Sequence, residues 1–179
     1  ISLIMILSCK TNKKDKTKDY KFNTIKIKAE QGKNPKTNDL INDIKYIPLE
    51  KNEESIFGRI NKLIYENGRF FILDLQGEHH LYVFNNKGRF INKIGEIGKG
   101  PEEYIRLEDF DISNNGLIYL YNRQFKNFHV YNSNGKFLFE KKMPFRARGF
   151  NLLGNNGFIF QLLKDNGYKK TKNRKIIVT

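Results

Sequence analysis

The sequence has no tryptophan and, among 179 residues, one cysteine, two methionines and four prolines. A single cysteine, Cys9, excludes an internal disulfide, so the fold must be held by burial and hydrogen bonding. No apolar run approaches the roughly 18 residues that a membrane-spanning helix needs. Acidic residues are few beside basic ones, 19 against 33, which gives a formal charge of +14. Such an excess can mark a polyanion partner such as nucleic acid, lipopolysaccharide or an anionic membrane. Here the lysines are scattered, and no basic stretch is interleaved with stacking aromatics, so no nucleic-acid partner is expected.

What the sequence does have is phenylalanine, tyrosine and glycine in a regular arrangement. Asn67-Gly68 separates the apolar runs 60–65 and 70–75, and Lys87-Gly88 separates 81–84 from 90–94. The pattern then returns. Asn115-Gly116 separates 110–112 from 117–121, and Asn134-Gly135 separates 128–131 from 137–139. Gly68 and Gly116 stand 48 residues apart, Gly88 and Gly135 stand 47 apart, and residues 81–90 align with 128–137 position by position. Apolar alternation on both sides of such a turn is the strongest short-range sign of a hairpin. Two hairpins per unit, repeated every forty-odd residues, predict an all-β chain of four-stranded antiparallel β-propeller blades. The blades are placed at about 60–95 and 107–143, followed by a half blade at 148–163 with its turn at Asn156-Gly157. The units meet at the stretch 95–104, whose three glycines and Pro101 suit an exposed crossing rather than a strand.

Upstream, residues 1–9 resemble the end of a bacterial lipoprotein signal. Ile6-Leu7-Ser8-Cys9 would be the lipobox, and Cys9 the acylated residue, which predicts attachment to a membrane through that cysteine. Residues 10–40 read as a lysine-rich tether with one short strand at Phe22–Ala29, and 41–179 as the partial propeller. Ile44–Leu49 is a strand candidate, with Pro48 arguing for an outermost one. It has no hairpin partner adjacent in sequence, so it is expected to complete the last blade of a ring.

The motifs together resemble the six-bladed β-propeller lipoproteins of Bacteroidota, which are related to NHL-repeat propellers. Residues 44–50, 84–95 and 98–104 carry the resemblance, the last reading Gly98-Lys99-Gly100-Pro101-Glu102-Glu103-Tyr104 where the family usually has glycine at the position of Glu102. In this family motif Gly95, Gly98, Gly100, Pro101, Glu103 and Tyr104 are structural. The resemblance implies the propeller fold and a place in the cell envelope, and no agreed activity. With two and a half blades in view, the chain reads as the N-terminal part of a longer protein. An open arc of this kind is expected to expose two apolar blade faces. The basic tail at 169–175 fits poorly as a core strand.

Chemistry is hard to find. Gly95-x-x-Gly98-x-Gly100 lacks the dinucleotide order, and Lys99 is followed by glycine rather than serine or threonine, so no phosphate loop or cofactor is expected. His79-His80 could ligate a metal, but no third ligand is spaced for it, and a solvated turn is expected. His129 stands where the previous blade has Tyr82, which suggests a packing or surface role. The acidic pairs 53–54, 102–103 and 108–109 read as solvated turns, and Ser55, Ser113 and Ser133 lack a nucleophile elbow. Two functional classes remain. One is a lipid-anchored binding or scaffold module for a protein or glycan. The other is a propeller hydrolase or lyase with its active site in further blades.

Overall fold

At Asn67-Gly68 the backbone turns with φ of 48° and 74°, the left-handed pair that a two-residue hairpin requires. That turn joins β1 (Lys62–Glu66) to β2 (Arg69–Leu73), with Glu66 paired to Arg69. The fold is described by a computed structural model covering residues 41–100, 102–154 and 157–162, with the backbone of 176–178. Cys9 and its lipobox, the tether with the Phe22–Ala29 strand, Pro101, Asn156 and the basic tail lie outside the described residues. Residues 45–179 form one unit and 1–44 another.

Three sheets follow one another. β1 and β2 continue into β3 (Leu81–Asn85) and β4 (Phe90–Ile94), in the spatial order β1-β2-β3-β4. A short parallel pair, β5 (Glu96–Ile97) with β6 (Glu103–Tyr104), lies in the stretch between units. The second sheet contains β7 (Asp109–Ile112), β8 (Ile118–Asn122), β9 (Asn127–Tyr131) and β10 (Phe137–Lys142), again in sequential order. The third contains β11 (Ala147–Leu153), β12 (Gly157–Leu162) and β13 (Ile176–Val178), one strand more than the expected half blade. Among the described residues there is no helix. These are successive blades of a β-propeller.

The turns repeat in atomic detail. Asn85 Oδ1 accepts from the amides of Lys87 and Arg89, and Asn132 Oδ1 accepts from those of Asn134 and Lys136. Each asparagine thereby copies a backbone turn with its side chain, which is why the pattern could be read in the sequence.

Strand alternation sends side chains to both faces of each sheet. Phe71, Leu73, Leu81 and Val83 of the first blade meet Phe110, Ile118, Leu120 and Tyr131 of the second, with Tyr104 and Leu107 between them. The other face of the second blade packs Tyr119, Tyr121, Phe128 and Val130 on Phe150, Phe158 and Phe160 of the third. At the edges that lie side by side, Lys62 Nζ of β1 is 3.0 Å from Asp109 Oδ1 and donates to the Phe110 carbonyl at 2.6 Å. The β7 carboxylates reach onward to β11, with the Phe150 amide donating to Asp109 Oδ2 at 2.8 Å and the Leu152 amide to Asp111 Oδ2 at 2.7 Å. The pair 108–109 is therefore not a solvated turn.

Two further expectations are corrected. Ile44–Leu49 forms no strand. Pro48 withholds a donor, and the chain is held instead by the Glu50 amide, which donates to the Gly88 carbonyl at 2.7 Å, and by Glu50 Oε2, which accepts from the Phe90 amide at 2.9 Å. The outer face of the first blade is not bare either. Leu49 and Phe57 cover Ile72, Tyr82 and Phe84, all fully buried.

Candidate functional site

The stretch between the first two blades crosses on the surface as expected, with Glu96, Ile97, Lys99 and Glu102 exposed, but it does hold strand, the short pair β5–β6, and is tied to itself by hydrogen bonds. Gly95 takes φ +77°, and a Cβ there would stand 2.6 Å from the Tyr104 ring, so the position needs glycine on both counts. Gly98 donates its amide to the Tyr104 carbonyl at 3.0 Å, and Gly100 donates to Glu103 Oε2 at 2.7 Å. A Cβ on Gly98 would collide with that same carboxylate. Glu103 is thus tied into the loop it follows, while Glu102 is exposed and lends its carbonyl to the Tyr131 hydroxyl at 3.2 Å. Tyr104 is completely buried, and its hydroxyl lies 3.0 Å from His80 Nδ1. Burial drives its phenol well above the usual range, so it stays protonated.

Strand register sets the two blades in correspondence. Tyr82 pairs with Lys93 across β3 and β4, and His129 pairs with Glu140 across β9 and β10. In the first blade the space beside this pair is filled. The Tyr82 hydroxyl donates to the Ile56 carbonyl at 2.8 Å, its ring lies 5.5 Å from that of Phe57, and Lys93 Nζ sits 5.5 Å above it while meeting Glu78 at 2.8 Å. Burial and the Glu78 and Asp74 charges push the Tyr82 phenol up to about 12, and the Lys93 hydrogen bond holds the Glu78 carboxyl below its usual value.

The second blade has the smaller imidazole and a carboxylate in place of the tyrosine and the lysine. A cavity of about 510 Å³ is found there, walled by Gly98, Lys99, Gly100 and Glu103 of the join and by Asn127, His129, Glu140 and Lys142 of the blade, with Ile105 and Phe125 as its apolar members. Asn127 Nδ2 is 3.2 Å from His129 Nε2. With the amide donating, the imidazole carries its proton on Nδ1. That Nδ1 and Asn127 Oδ1 are both buried and, among the described residues, have no hydrogen-bond partner; their residues are 3% and 5% exposed. Burial lowers the His129 pKa, so the ring is neutral near pH 7. Asn127 and His129 both line the cavity, beneath a rim of lysines, glutamates and the exposed Phe125 ring.

The sequence motif supplies the join side of this site, while on the blade side only His129 stands out, and there as a packing or surface residue. The readable signal was the replacement of Tyr82 by His129 together with that of Lys93 by Glu140. His80 is not in a solvated turn, since its side chain is half-buried against Tyr104 and burial lowers its pKa. His79 takes φ +60° beside it. Among the described residues no three His, Cys, Asp or Glu side chains are grouped to hold a metal. Ser55 donates to the Glu50 carbonyl and Ser113 to the Leu117 carbonyl, both within turns, and the Ser133 carbonyl accepts from Arg69.

The model of a domain of unknown function, DUF4934, matches residues 22–179. The chain belongs to the DUF4934 family. No curated protein matches it. Among solved structures, this DUF4934 chain is similar to a Bacteroides fragilis protein inferred to be exported, with a TM-score of 0.67 and 26% identity over 76% of this chain and 39% of that one. A DUF4221 family member from Bacteroides vulgatus gives 0.47 and 12% over 64% and 36%. The β-propeller domain of Myceliophthora thermophila Cps50 (Swd1) gives 0.43 and 11% over 66% and 38%. The DUF4934 chain thus spans less than two fifths of the length of these structures.

Proposed function

We propose that this chain is part of a lipid-anchored propeller of the bacterial cell envelope, with six blades in the whole protein, that acts as a binding module for a glycan partner. The observation carrying this reading is the cavity under the join, lined by Asn127, His129 and Glu140 beside the exposed ring of Phe125. An amide, an imidazole and carboxylates can exchange hydrogen bonds with sugar hydroxyls, and the ring of Phe125 can stack on a sugar face. The structural similarity to a protein inferred to be exported supports the envelope, and the lipobox ending in Cys9 supports the anchor.

The test is an oligosaccharide and peptide screen by NMR on the chain and on His129→Tyr, which restores the filling of the first blade. Sugar binding that is lost in the variant, by about tenfold or more, is the expected result for removal of a central polar contact. Peptide binding alone, or sugar binding indifferent to the substitution, overturns the reading. For the anchor, labelled palmitate should enter the chain expressed with its signal and not the Cys9→Ala form.

A further inference from the structure

The seam between the first two blades is closed along most of β1. Lys62 reaches Asp109 across it, and Ile64 joins the apolar cluster that contains Phe71 and Ile112. At the end of β1 the seam opens into a cleft of about 340 Å³, walled by Glu66, Arg69, Ser133 and residues 114–116, with Phe71 and Ile112 as its apolar members. Glu66 and Arg69 are cross-strand partners on either side of the Asn67-Gly68 turn, a placing in which opposite charges ordinarily meet. Here they do not. Arg69 Nη1 donates across the seam to the Ser133 carbonyl at 2.7 Å, and among the described residues neither Arg69 nor Glu66 is in a salt bridge. The cleft thus holds one carboxylate and one guanidinium that have not neutralised each other, and the rest of its wall is uncharged.

The hairpin does not need these charges. Lys62 lies four residues before Glu66 as Asp109 lies four before Ser113, and their partners Leu73 and Tyr121 lead in the same way to Arg69 and Leu117. The second blade therefore has Ser113 and Leu117 where the first has Glu66 and Arg69. There the turn is closed, since the Ser113 amide and hydroxyl both donate to the Leu117 carbonyl, at 2.9 and 3.1 Å, and the Leu117 side chain packs toward the third blade. The split pair belongs to the first seam alone among these two turns. Its residues are all different from those of the cavity under the join, so this cleft stands independently of the glycan reading.

We propose that the cleft is a binding site for a small zwitterion of the amino-acid class, a free amino acid or a dipeptide, whose ammonium meets Glu66 and whose carboxylate meets Arg69. The planar guanidinium matches a carboxylate with parallel hydrogen bonds, and a glutamate accepts from an ammonium. A simple anion is opposed by Glu66 and a simple cation by Arg69, so the pair selects a ligand that carries both charges.

The experiment titrates the full chain by NMR with alanine, with the dipeptide Ala-Ala, with N-acetyl-Ala-Ala and with Ala-Ala amide. Alanine or Ala-Ala should shift the amides of Glu66, Arg69 and Asn115, and comparison of the two tells amino acid from dipeptide. Each blocked form should bind about tenfold or more weakly than Ala-Ala, because it leaves one charge of the cleft unmet. Glu66→Gln should abolish the preference over the N-acetylated form only, and Arg69→Gln the preference over the amide only. A variant that merely damages the turn weakens all forms alike. Blocked forms that bind as well as Ala-Ala, variants that weaken every probe equally, or no binding of either alanine or Ala-Ala overturn the site.

Discussion

Where the first blade holds Tyr82 under Lys93 and Glu78, the second holds His129 opposite Glu140, and the space that one blade fills the other leaves open. The segments that cover the two blades differ in the same direction. Ile56 and Phe57 close over Tyr82, whereas in the join Tyr104 turns into the interface between the blades and the glycines roof a cavity. The two units share turns and strand order, so a handful of side chains converts a purely structural contact into a cavity. Within a repeat fold, the places to search for function are those where one copy fails to fill what its sister fills.

The largest expected effect distinguishes the two covers. Tyr104→Ala removes a fully buried ring from the interface and should cost about 3–5 kcal/mol in urea unfolding, while Phe57→Ala, at a half-buried position, should cost less than half of that. Equal losses would mean that the two covers do the same work. Next comes exchange of the fillings. Tyr82→His should open the first blade and lower stability by about 2 kcal/mol, whereas His129→Tyr should be neutral or stabilising, since it supplies the ring its sister blade already accepts. A destabilised His129→Tyr protein would show that the cavity is too narrow for the ring and that the correspondence is inexact.

The smallest effect is in pH. Burial holds the pKa values of His80 and His129 below 6.5, so each imidazole is neutral in the fold while the unfolded chain takes up protons first. Their contribution is therefore complete above pH 6.5 and is lost as pH falls below it. Melting temperature should drop between pH 7 and 5.5, and less so in His129→Tyr. A drop unchanged by that substitution would assign the effect to His80 in the first blade.

Much of the fold was legible because the turns carry their own geometry. Asn67-Gly68, Asn85 to Gly88 and Asn132 to Gly135 specify hairpins locally, and their spacing needs no tertiary knowledge. The site was legible only on one side. Gly98, Gly100 and Glu103 stood out by composition, but Asn127, Phe125 and Glu140 belong to two ordinary strands and a turn. Tyr104 could not be read as buried, because a lone aromatic after a glycine-rich loop carries no period. Residues 47–57 gave still less, since their role depends on reaching Gly88 and Phe90 some forty residues away.

The carboxylates of Asp109 and Asp111 grip the next blade by its amides at Phe150 and Leu152 rather than by its side chains. An amide is the same whatever residue bears it, proline excepted. A blade joined in this way makes almost no demand on the composition of its successor at those points. Duplicated units can then diverge, one keeping its tyrosine and another acquiring a histidine, without the joint between them having to be reinvented.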